Sequence, residues 1–134
     1  MLNEYQQRAL MVTLMSIEKE LFEIEQMLKM KDYNGILYDA RNDITDGKAM
    51  LSMISRAREE ILKVAEQFSL QKADKKASQQ ISAKLAHCWE ILEDSRAKKL
   101  KSYGSVEEGL EKILDPRIDV LIDLLGEMGR MLRV

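Results

Sequence analysis

Residues 10–28 read LMVTLMSIEKELFEIEQML, and within them Leu10, Leu14, Ile17, Leu21, Ile24 and Leu28 recur at intervals of four and three. That rhythm brings the six side chains to one stripe of an α-helix, and its persistence makes the stripe a coiled-coil seam. Upstream, Asn3 can accept from a free N–H of the first turn while Gln6, three residues on, reaches back to the cap. Downstream, KDYNG supplies turn residues at Asn34 and Gly35 that end the helix. The spacing predicts one helix of roughly 28 residues, about 42 Å long at 1.5 Å per residue.

The same spacing continues through Leu37, Ala40, Ile44, Gly47, Leu51 and Ile54, then through Ala57, Ile61, Val64 and Phe68, and predicts a second helix. Gly47 is its weakest point, because glycine costs about 1 kcal/mol against alanine inside a helix, so a kink or break is expected at Asp46 and Gly47. After a polar loop at SLQKAD, a third helix follows from Ala77, Ile81, Leu85, Cys88, Leu92 and Tyr103 and stops at Gly104. Ser105 with Glu108 then spells a capping box for a fourth. The last segment carries Leu110, Ile113, Leu114, Ile118, Leu121, Leu125, Met128 and Leu132, interrupted by Pro116. Proline lacks an N–H and crowds the preceding turn, so this helix is expected to kink or break near Pro116 and restart from Asp115.

Four amphipathic segments joined by short connections bury their stripes most simply as an all-α, antiparallel up-and-down four-helix bundle. A single domain over residues 1–134 is expected. Val120, Ile122, Leu124 and Met131 lie outside the main seam of the last segment, whose apolar arc is wider than one core requires.

Composition agrees with helices and narrows the function. The chain is 46% hydrophobic, 33% charged and 5% aromatic, with one proline, and no apolar run approaches the ~20 residues of a membrane span. No leader-like segment opens it and its one cysteine has no internal partner, so a cytoplasmic home is expected. The net charge of −2 is unevenly spread. Residues 71–103 hold eight basic and four acidic side chains, whereas the flanking segments are all net acidic. Arg96, Lys98, Lys99 and Lys101 form a candidate phosphate-binding cluster, but the acidic flanks argue against nucleic acid.

His87, Cys88 and Trp89 are the chain's only histidine, cysteine and tryptophan. Helical neighbours diverge by about 100°, so the three cannot converge on one centre. Cys88 falls on the apolar stripe, Trp89 at its edge, and His87 points outward. The stretch LAHCWEIL (residues 85–92) resembles, over one turn, the alanine-histidine stretch of histidine phosphotransfer domains. The resemblance implies His87 as a phospho-acceptor. Such domains typically carry lysine and then glycine at the positions held here by Glu90 and Ile91, and a carboxylate there repels phosphate.

Carboxylate pairs with spacing suited to magnesium, as in all-α nucleotide pyrophosphatases, occur at Glu20 with Glu23, Glu90 with Glu93, and Asp39 with Asp43 and Asp46. Such pairs recur in any charged helix. Phosphate loops, zinc motifs and nucleophile elbows are missing from the sequence, so neither metal nor cofactor is expected. Met11, Met15, Met50 and Met53 border the seams of the first two helices and, with Val120, Leu124 and Met131, form a candidate partner-binding stripe. The expectation is a non-enzymatic protein acting by helix-mediated self-association, as a homodimer, or by binding another helical protein. Phosphotransfer through His87 and metal-dependent nucleotide hydrolysis are the alternatives.

Overall fold

The structure is a computed structural model that describes residues 1–132. It is predominantly helical, and its backbone contacts fall into two units, one over Met1–Lys72 and one from Ala73 onward.

In the first unit, helix α1 spans Glu4–Lys29. The expected cap forms: Asn3 Oδ1 accepts from the Gln6 N–H at 2.8 Å while the Asn3 N–H donates to Gln6 Oε1 at 3.0 Å, satisfying two donors the helix cannot. Helix α2 spans Gly47–Gln67 and folds back along α1. Gln7 near the start of α1 donates to the Phe68 carbonyl just past α2 at 3.3 Å, and Glu25 near the end of α1 meets Arg58 at 3.1 Å. Ile54, 5% exposed, is buried between them.

The chain between α1 and α2 departs from the expectation of a helix beginning at Leu37. Two short strands, β1 (Tyr33–Asn34) and β2 (Asp39–Ala40), pair antiparallel with Tyr33 opposite Ala40 and Asn34 opposite Asp39. Leu37 and Ile44, which matched the helical rhythm, are exposed. Gly35 explains the difference. Its N–H donates to the Tyr38 carbonyl at 2.9 Å across the turn, and a Cβ there would collide with that carbonyl and the Tyr33 ring. The Tyr33 and Tyr38 rings pack at a 46° tilt with centroids 5.4 Å apart.

Asn42 ties this crossing to α1. Its side-chain amide donates to the Leu28 carbonyl at 3.1 Å and the Met30 carbonyl at 2.9 Å, groups left unpaired where α1 ends. Its own N–H donates to Asp32 Oδ1 at 2.8 Å. The glycine expected to weaken a continuous second helix is where α2 starts. At the far end of α2, the Leu70 N–H donates to the Ala65 carbonyl at 2.9 Å, closing a Schellman-type cap in which Ser69 takes the left-handed backbone (φ 53°).

The second unit contains α3 (Ala77–Glu93), the four-residue α4 (Ala97–Leu100), a 3-10 turn over Lys101–Tyr103 and α5 (Leu110–Met131). Three expectations are corrected here. The third helix does not run on to Tyr103: Arg96 turns to extended backbone so that Ala97, 3% exposed, buries against α5 while its N–H donates to Asp115 Oδ1 at 2.9 Å. The Ser105–Glu108 capping box does not form. Helix α5 begins after Gly109, whose left-handed backbone (φ 88°) could not lie inside a helix started at Ser105. Nor does the last helix break at Pro116. It continues from Leu110 to Met131, held on both sides of the proline by Asp115, which anchors Ala97, and by Ile118, 4% exposed.

Candidate functional site

The residues able to carry chemistry lie apart. His87 is exposed on α3, Cys88 is half-buried, and Trp89 is 49% exposed over the cleft between α3 and α5. That cleft, about 1010 Å³, is bordered by Ser82, Ala86 and Trp89 from α3 and by Gly126, Gly129 and Arg130 from α5. Among the described residues, no three of histidine, cysteine, aspartate and glutamate come together to hold a metal ion. Two of the paired carboxylates considered for magnesium already bind cations of the chain: Asp39 meets Arg41 at 3.3 Å, and Glu93 meets Arg96 at 2.8 Å.

Arg96 is the electrostatic centre of the second unit. Its guanidinium donates from Nε to Glu93 Oε2 and from Nη2 to both Glu93 Oε1 (3.2 Å) and Asp119 Oδ1 (2.7 Å), fastening the α3–α4 break to α5. Hydrogen bonding from Arg96 holds the Glu93 carboxyl below its ordinary range. In return Glu93, and then Asp119, raise the Arg96 pKa. Of the candidate phosphate-binding cluster, Arg96 is thus committed inside the chain, while Lys98, Lys99 and Lys101 are exposed. In the first unit, Lys29 and then Arg58 likewise lower Glu25.

Rotation about the helix axes sorts the methionines. With Leu14 and Ile54 as the facing directions, Met11 and Met15 turn about 60–100° to the side that carries Glu25 and Arg58, while Met50 and Met53 turn about 40–100° the other way. The four therefore divide between two sides of the α1–α2 pair. Met11 and Met15 are half-buried, and Met50 and Met53 are exposed, Met53 by 66%.

On α5 the apolar surplus is more coherent. Ile118, Ile122, Leu125 and Leu132 form the stripe used within the unit, all buried or half-buried. Leu121, Leu124, Met128 and Met131 lie about 60–140° to one side of Ile118, and Asp119 and Asp123 about 100–140° to the other. The four apolar residues are 49%, 46%, 48% and 77% exposed, and they follow one another at intervals of three, four and three. This is a second apolar stripe on one helix, at the three-and-four spacing of a coiled-coil seam, with Val120, 55% exposed, at its edge. Sequence spacing alone had merged Leu121 and Met128 with the inner stripe; only the buried set separates them.

The uncovered area is large in total. Two separate compact globules of half this mass would together expose about 8,700 Å². The chain exposes 11585 Å², and among the described residues only Ile54, Ala97 and Ile118 are buried apolar residues. Among the described residues no helix is long and apolar enough to cross a membrane. Comparison of the chain with family models, curated proteins and solved structures found no match.

Proposed function

We propose that the chain is a non-enzymatic helical protein that works by helix-to-helix association, with a second copy of itself covering the apolar faces its own helices leave open. One observation carries the reading. The surface left uncovered exceeds that of compact globules by roughly 2,900 Å², several times the ~800 Å² that each partner contributes to a stable interface. Divergence of His87, Cys88 and Trp89 about one helix, and the use of Arg96 and Glu93 as an internal clamp, support an association role over a reaction centre. In this reading the antiparallel four-helix packing expected from the sequence is completed between copies, each contributing a helix pair. Sedimentation equilibrium of the full chain from about 1 to 200 µM tests it. A concentration-dependent shift from monomer to dimer is expected, and a strict monomer throughout refutes the proposal.

A further inference from the structure

We infer that the dimer seam is the outer stripe of α5 pairing with the same stripe of a second copy, the two helices antiparallel and centred between Leu121 and Leu124. The inference rests on the self-association reading above and adds its place and register. Leu114, Arg117, Leu121, Leu124, Met128 and Met131 occupy alternating a and d positions of one heptad frame. Antiparallel pairing sets each a position opposite a d position, and a two-fold axis between Leu121 and Leu124 matches every layer at once. Leu121 meets the partner's Leu124, Met128 meets the partner's Arg117, and Met131 meets the partner's Leu114.

Arg117 is the one charge in this frame, and it makes the register self-complementary. Opposite Met128 it lies beside the partner's Glu127, the adjacent residue at the seam's edge. Arg117 and Glu127 are both exposed, and among the described residues neither takes part in an ion pair within the chain. Across the two-fold the pair forms twice, with the arginine stem lying along Met128 and its head reaching the rim. The parallel alternative sets Arg117 against the partner's Arg117, a like-charge contact in the seam that disfavours it.

The test is a charge exchange in the full chain, read by sedimentation equilibrium with helix content checked by circular dichroism. Arg117→Glu and Glu127→Arg are each expected to weaken dimerisation about tenfold, since each places two like-charged contacts in the seam. The double variant restores the contacts with their signs exchanged and is expected to return to within about threefold of wild type. Leu124→Glu is expected to abolish the dimer with its helix content kept. If wild type dimerises and the single exchanges leave its affinity unchanged, or the double exchange fails to recover it, the α5 seam is refuted while self-association stands. If wild type is monomeric at every concentration, both fall.

Discussion

Ile118→Ala should destabilise the second unit by about 2.5 kcal/mol. The residue is 4% exposed in the middle of α5, and truncation to alanine removes three carbons at about 0.8 kcal/mol each, to which a residual cavity adds. The cavity term is small at this site. Ile122 and Leu125 on the same inner stripe are only half-buried and free to close inward, which places the cost near the low end of the roughly 2–5 kcal/mol seen for such truncations. Ile113→Ala on the same helix is the control: that side chain is 76% exposed, and its loss should change stability by less than about 0.5 kcal/mol. Urea unfolding followed by tryptophan fluorescence suits the measurement, since Trp89 is the only tryptophan and borders the α3–α5 cleft. Equal effects from the two truncations, or less than about 1 kcal/mol from Ile118→Ala, would falsify the assignment of Ile118 as the centre of this packing.

Three further outcomes follow from local geometry. Asn42→Ala strips the Leu28 and Met30 carbonyls of their donor and should cost about 1–2 kcal/mol, with faster amide exchange in the segment leading into α2. Ser69→Gly relieves the left-handed backbone at the end of α2 and should stabilise by about 0.5–1 kcal/mol in the same denaturation assay. Glu25 and Glu93 both titrate below their ordinary value of 4.5 in the folded chain, so their ion pairs contribute fully above it and are lost as pH falls through the lowered values. A pH series should show stability falling below about pH 4.5, with a smaller fall in an Arg96→Met variant, where Glu93 has lost the cause of its shift.

How far the sequence could be read depended on whether a signal was local or required a partner. The extent of α1 and its Asn3–Gln6 cap depend on only a few turns of chain, and they were legible; of its expected seam, Ile17 and Ile24 stand 45% and 38% exposed. The rhythm from Leu37 to Gly47 matched a helix by coincidence, because periodicity cannot register that Gly35 has no room for a side chain or that Asn42 will reach back to α1. Ser105–Glu108 satisfied a local rule that the left-handed Gly109 overrides. A kink or break is what Pro116 suggests in isolation; no break occurs, since burial of Ile118 and the Asp115–Ala97 hydrogen bond keep α5 continuous, and both depend on residues distant in sequence. The surplus apolar arc on α5 was visible from spacing. Its division into an inner and an outer stripe was not, since both stripes contain the same residue types and only α3 chooses between them. Arg96 looked like a free cation for the same reason: Glu93 is a near neighbour, but Asp119 is 23 residues away.

The turn at Ile36 and Leu37 is 99% and 95% exposed, where a tight turn would ordinarily carry glycine, asparagine or aspartate. Because Asn42 fastens the crossing at its base, these two aliphatic groups take no part in joining α1 to α2. Their hydrophobicity is idle as far as folding goes: water must order around it at a standing cost to solubility.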